Sequence, residues 1–177
     1  MRIGVISDTH GLLRAEAVAA LRGSRLILHA GDIGGQEILD QLSDVAPVLA
    51  VRGNNDTGDW AVNLPIRLSV SVRGKTITIV HDVADFDSSS RSRTHVVVSG
   101  HSHEPGYRNE NGILFFNPGS AGPRRFRLPI TVGELSLTAG RISPRLVTIA
   151  ASEPLRRGRT ARSRVVRARS QGPKVEG

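Results

Sequence analysis

Apolar residues fall in short runs separated by Gly, Asn and Asp clusters. Arg2 to Ser7, Leu26 to His29, Pro47 to Val51, Thr76 to Val80 and Val96 to Ser99 are nearly continuous in Val, Ile and Leu, the pattern of strands covered on both faces. Leu12 to Leu21 and Gln36 to Leu42 space their apolar residues at helical period, each after a glycine-containing turn, and predict crossover helices between the first three strands. Further along, Leu68 to Val72 and Lys75 to Val80 flank Arg73-Gly74, Gly106 to Phe116 turns at Asn111-Gly112, and Ile130 to Leu137 pairs with Ile142 to Ile149 around Ala139-Gly140. These are hairpin signals. Alternating strands and helices followed by antiparallel strands predict an α/β sandwich.

Composition narrows the class without changing that picture. The 177 residues, 38% hydrophobic and 23% charged, suit one folded domain rather than two. The chain has no cysteine, so disulfides, thiolate metal sites and a Cys nucleophile are excluded. No apolar run approaches the roughly 20 residues of a membrane helix, and no signal-peptide pattern precedes the first strand, so a cytoplasmic location is expected. The net charge of +8 is uneven: residues 1–150 carry 16 Lys+Arg against 14 Asp+Glu, and 151–177 carry 8 against 2. The expected organisation is a folded body over 1–150 and a basic, Arg-rich tail over 151–177, disordered by composition. Lacking Phe, Tyr and Trp, that tail offers phosphate contacts but no base stacking to a nucleic acid.

The candidate chemistry lies where the strands end. Strand one runs into Asp8-Thr9-His10, strand two into Gly31-Asp32, strand three into Gly53-Asn54-Asn55-Asp56, a later strand into His81, and another into Gly100-His101-Ser102-His103. Groups beyond the carboxyl ends of strands in an open α/β sheet can converge on one crevice. In extended chain, residues i and i+2 point the same way, so Asp8 with His10 and His101 with His103 would each deliver two ligands to one side. Asp8, His10, Asp32, Asn54, His81, His101 and His103 are too many for one tetrahedral zinc, but suit two divalent ions with Asp32 as the bridging candidate. Mixed carboxylate, amide and imidazole donors favour Mn²⁺, with Ni²⁺, Fe²⁺ or Zn²⁺ as alternatives.

Taken in order, D-x-H, G-D, G-N-x-D, H and G-H-x-H resemble the pattern of the calcineurin-like metallophosphoesterase superfamily over about residues 1–149, and Asn117-Pro118-Gly119-Ser120 is similar to its small bacterial and archaeal phosphodiesterase branch. That branch shares its fold with the retromer subunit of the superfamily. The resemblance implies two packed β-sheets flanked by helices, a four-layer α/β/β/α arrangement. It also implies one metal on Asp8, His10, Asp32 and His103 and a second on Asp32, Asn54, His81 and His101. The activity it implies is hydrolysis of a phosphodiester by a hydroxide held between the two ions. A scaffold for protein partners with little turnover, or a nuclease-like phosphoesterase tethered to nucleic acid by the basic tail, are the alternatives.

Two positions depart from the family pattern. Asn55 stands where many members have His; it cannot act as a general acid at neutral pH but can donate a hydrogen bond to a phosphate oxygen. Asp82 follows His81 where the branch usually has Gly, and would either brace a ligand or repel an anionic substrate. Asp32 and Asn55 are therefore the expected catalytic residues, and Asn55, Ser120 and Arg124 the expected substrate contacts, with Arg125 as the alternative clamp. His29 and His95 have no ligand-like neighbours and read as structural, and Trp60 as packing.

Overall fold

The computed structural model describes residues 1–125 and 127–150, so the tail over 151–177 lies outside the described residues. Two five-stranded mixed sheets pack face to face. The first contains β1 (Arg2–Ile6), β2 (Leu26–His29), β3 (Val48–Ala50), β9 (Ile130–Thr138) and β10 (Arg141–Ala150) in the order β10-β9-β1-β2-β3. The second contains β4 (Arg67–Val72), β5 (Lys75–Val80), β6 (Val96–Val98), β7 (Gly106–Glu110) and β8 (Ile113–Asn117) in the order β4-β5-β6-β8-β7. β1, β2 and β3 run parallel, with Ile3 opposite Leu26 and Val5 opposite Leu28, and β5, β6 and β8 run parallel in the other sheet. The three predicted hairpins form the antiparallel pairs β4·β5, β7·β8 and β9·β10.

Strand alternation sorts the apolar residues into layers. Ile3 and Val5 of β1, Leu28, Ile77, Ile79, Val96, Val98, Phe116 and Leu135 form the core between the sheets. On the outer face of the first sheet, Ile6 and Ile27 meet Ala17 and Leu21 of helix α1 (Ala15–Leu21) and Ile38, Leu39 and Leu42 of helix α2 (Gln36–Ser43). Gly4 also faces α1: a Cβ there would lie 2.5 Å from Leu21 Cδ2. Trp60 packs against the edge of this cluster, as expected.

The fourth layer is thin. Over the outer face of the second sheet run two short 3₁₀ helices, Val83–Asp85 and Ser88–Arg93. Phe86, between them, lies edge-on to Phe115 with ring centres 5.9 Å apart, in a small cluster with Val80, Val97 and Ile113. Helix α1 starts three residues later than its apolar pattern predicts. Leu12 N–H closes a turn on the Thr9 carbonyl and Arg14 is extended, so those residues belong to the loop carrying Asp8 and His10. Among the described residues, no helix is long and apolar enough to cross a membrane.

Candidate metal centre

The loops after the parallel strands are laced together by their backbones. Asp8 N–H donates to Gly31 O at 3.0 Å, His10 N–H to Asp32 O at 2.9 Å, and Gly100 N–H to His81 O at 2.9 Å. The ligand pairs do not converge through extended chain. Asp8 (φ 54°), His10 (46°), Asp32 (52°), His101 (66°) and His103 (60°) are all left-handed. The other non-glycine residues with positive φ, Arg73, Asn111 and Ala139, each sit in a hairpin turn. Left-handed backbone costs a non-glycine residue on the order of 1 kcal/mol or more and persists where surrounding contacts enforce it. Here it turns five side chains toward one point.

All seven predicted ligands come together there. Asp8 Oδ1 lies 3.3 Å from His103 Nε2 and 4.0 Å from His10 Nε2. His10 Nε2 lies 3.8 Å from Asp32 Oδ2, and His81 Nε2 lies 3.5 Å from Asp32 Oδ1. Asn54 Oδ1 is 2.9 Å from His81 Nε2 and 3.1 Å from His101 Nδ1. Asp8, His10 and His103 can share one ion, as can Asp8, Asp32 and His81, so the residue common to both groups is Asp8, while Asp32, the bridging candidate of the sequence, belongs to the second.

The donor set fits a cation on evidence internal to the fold. Asp8 is fully buried, and its Oδ1 has no hydrogen-bond partner among the described residues, a costly state for a carboxylate oxygen that no cation compensates. His10 Nε2 and His103 Nε2 face each other at 3.4 Å, as do His81 Nε2 and His101 Nδ1 at 3.3 Å. Two imidazole lone pairs so opposed need a proton or a metal between them.

Protonation follows the same geometry. Burial alone would raise the Asp32 carboxyl, but hydrogen bonds from His81 and from the Asn55 backbone and side chain hold it well below the usual carboxylate range. Burial opposes charge on His81, yet its bonds to Asp32 and the Ala30 carbonyl raise it. Burial lowers His10 against the pull of Asp32 and Asp8, and Arg125 and His103 add to the lowering. Imidazoles must be neutral to ligate, so a metal ion and a proton compete for His81.

Several residues hold the ligands without belonging to the set. Asp56 Oδ1 accepts from Ile33 N–H at 2.7 Å and Gly34 N–H at 3.0 Å, and Oδ2 from Gly53 N–H at 2.8 Å, pinning the loops after β2 and β3 to each other. Asn117 Nδ2 donates to the Gly100 carbonyl at 2.8 Å, bracing the loop of His101 and His103. Neither role is evident in sequence, where Asp56 appears only as the last letter of G-N-x-D and Asn117 as the start of a turn. His29 is fully buried: its Nδ1 accepts from Gly31 N–H, and its Nε2 pairs at 3.0 Å with Thr9 Oγ1, which donates to Ile33 O. A Cβ on Gly53 would overlap the Asp32 backbone nitrogen and Oδ1, and one on Gly100 would overlap Ser7 Oγ, so both positions need glycine for close approach.

Of the residues expected at the substrate, Ser120 and Asn55 are engaged by the candidate ligands themselves. Ser120 is buried, and its hydroxyl donates to the Asp8 carbonyl at 2.9 Å, so it fixes the Asp8 backbone instead of facing the cleft. Arg125, the alternative clamp, stands beside the site, with Nη2 3.5 Å from His10 Nε2. Asn55 donates its backbone N–H to Asp32 Oδ1 at 2.8 Å and its side-chain amide to Asp32 Oδ2 at 2.5 Å. The amide is turned onto the carboxylate, which takes one of its two N–H groups. Asp82 takes the bracing position, with Oδ2 3.8 Å from His101 Nε2 and Oδ1 accepting from Ala84 N–H at 2.9 Å.

A two-sheet sandwich with carboxylate, amide and imidazole ligands gathered at the ends of its parallel strands is the architecture of a metal-dependent phosphoesterase. The chain belongs to the calcineurin-like phosphoesterase superfamily, whose domain model matches residues 1–140. It is 37% identical over 134 residues, 68% of each chain, to a "probable metallophosphoesterase" of Methanocaldococcus jannaschii. A second, from Methanothermobacter thermautotrophicus, is 34% identical over 133 residues, 68% of this chain and 77% of its own. Among solved structures the fold is shared with an archaeal phosphodiesterase (TM-score 0.69, 23% identity, 83% of this chain and all of that one). It is shared equally with Vps29 of Chaetomium thermophilum (TM-score 0.68, 17% identity, 87% of this chain and all of that one).

Proposed function

We infer that the protein is a binuclear metal-dependent phosphodiesterase, with Mn²⁺ as the ion its oxygen and nitrogen donors suit best. The observation that carries this reading is the pair of ligand groups sharing Asp8, whose buried Oδ1 has no hydrogen-bond partner among the described residues. Two divalent ions in such a site supply charge neutralisation on the phosphoryl oxygens and a water of lowered pKa. The chain's own residues do the rest. Asp8, His10 and His103 hold one side of the site, and Asn54, His81 and His101 the other, with Asp32 between. Asn55 keeps both oxygens of Asp32 oriented through its backbone N–H and its amide. Arg125, beside His10, is the group that can pair with a phosphoryl oxygen on that side. The archaeal phosphodiesterase of the same fold is consistent with a diester substrate.

Asn55 supports a second reading, a metal-binding scaffold with little turnover. An amide cannot give a proton to a departing alkoxide at neutral pH, and Vps29 has the same fold. One experiment separates the two: hydrolysis of bis(p-nitrophenyl) phosphate and p-nitrophenyl phosphate with Mn²⁺, Ni²⁺, Zn²⁺ or chelator, with bound metal counted by mass spectrometry and Asp8→Ala and Asn54→Ala alongside. Two bound ions and metal-dependent diester cleavage, lost in both variants, are the expected result. Two bound ions with neither ester cleaved would favour the scaffold.

A further inference from the structure

Two clefts open from the metal centre and meet at one ridge. The larger, about 620 Å³, begins at Asn54, His81 and His101 and runs out between Val62 and Ile66. The smaller, about 350 Å³, lies across the ridge against Val83, Tyr107 and Phe116. Asp82 and His101 line both. Single exposed apolar residues are ordinary, but their distribution here is not. The described residues include five exposed large apolar side chains, and four of them, Val62 (65% exposed), Ile66 (55%), Val83 (40%) and Tyr107 (55%), line these two clefts.

Building on the phosphodiesterase reading, we propose that the clefts seat the two organic arms of a small phosphodiester, the larger taking a ring-sized arm that is uncharged or cationic. A monoester has one arm and fills one cleft; a diester whose phosphoryl group lies at the metal centre has an arm for each. Charge selects the kind of arm. Asp82 and Asp85 line the larger cleft against Arg52, and the carboxylate of Asp56 is already taken by three backbone N–H groups. Glu104 lines the smaller cleft beside Arg108, which lies over the Phe115 ring and pairs with Glu110 at 3.3 Å. Arg125 stands on the other side, next to His10. The phosphoryl anion is thus drawn toward Arg125, while an arm carrying a further phosphate would run along carboxylates, which disfavours polynucleotides.

Calorimetric binding to the Mn²⁺-loaded full chain tests this without requiring turnover. Diphenyl phosphate is expected to bind at least ten-fold more tightly than dimethyl phosphate or phenyl phosphate. Ile66→Asp should weaken diphenyl phosphate at least ten-fold, and Tyr107→Ala measurably, while both leave dimethyl phosphate and Mn²⁺ uptake within two-fold of wild type. Ile66 and Tyr107 are exposed, so neither change threatens folding. Unchanged diphenyl phosphate affinity in both variants, or tighter binding of a dinucleotide bearing a terminal phosphate than of the same dinucleotide without it, would overturn the proposal. Two-arm binding in a protein that cleaves no diester would sink the phosphodiesterase reading alone. Diester cleavage with affinity indifferent to both variants would sink only the cleft assignment.

Discussion

His29 shows how a residue that touches no ligand shapes the site. Held neutral between Gly31 N–H and Thr9 Oγ1, it joins the loops that carry Asp8, His10 and Asp32. Burial pushes its pKa down to about 3 from 6.5. The unfolded chain therefore binds a proton at this position below pH 6.5 that the folded chain refuses until about pH 3. Stability linked to His29 is fully present above pH 6.5 and is lost progressively as pH falls between those values, by about 3 kcal/mol at pH 4.5. In chelator, urea midpoints measured from pH 7.5 to 4.5 should fall more steeply for wild type than for His29→Gln. Parallel curves would remove His29 from the account. At this scale the sequence is most legible for which side chains gather, since the Asp, His and Asn residues it puts at five strand ends meet at one point. It is least legible for hydrogen-bond direction. Ser120 and Asn55 have the chemistry to meet phosphate, but the Ser120 hydroxyl donates to the Asp8 carbonyl and the Asn55 amide to the Asp32 carboxylate, pairings that residue spacing does not reveal.

Elements were legible in proportion to how local their cause is. The two-residue turns Arg73-Gly74, Asn111-Gly112 and Ala139-Gly140 each carry positive φ and set their hairpins from within. β2 matches its apolar run end to end, whereas the start of α1 is displaced by the loop that carries Asp8 and His10. The outer layer of the second sheet has no periodic signal to read, being two short 3₁₀ helices joined through Phe86. That places unusual weight on one ring. Phe86, 9% exposed and packed edge-on to Phe115, is the largest apolar side chain that this segment lays on the sheet. Phe86→Ala should destabilise the chain by about 3 kcal/mol, the lower end of the range for buried aromatic truncations. The segment begins immediately after His81 and Asp82, so the same variant should also weaken metal binding by loosening His81. Calorimetric melting together with Mn²⁺ titration measures both, and an unchanged melting temperature would mean that the layer contributes nothing to stability.

The whole molecule places its site at the seam between the two sheets. Asp8, His10, Asp32 and Asn54 follow strands of the first sheet, and His81, His101 and His103 follow strands of the second. A bound ion therefore links the halves of the sandwich as well as the loops of one sheet, and such links form only in the folded state. A ligand that binds the native chain alone stabilises it by about 2.7 kcal/mol per site at a free concentration one hundred times its dissociation constant. For a chain of this size that corresponds to a rise in melting temperature of roughly 5–10 °C per site. Adding Mn²⁺ to chelator-treated protein should produce that rise in two stages if the two ligand groups differ in affinity. Replacing His103, which joins the Asp8 and His10 group from the second sheet, should remove one stage and leave the other. Asp8→Ala should remove both, because its carboxylate reaches both groups. A single stage that survives Asp8→Ala would mean that one ion is held across the seam by Asp32 and His81 without Asp8, and that the Asp8 carboxylate does not tie the two groups together.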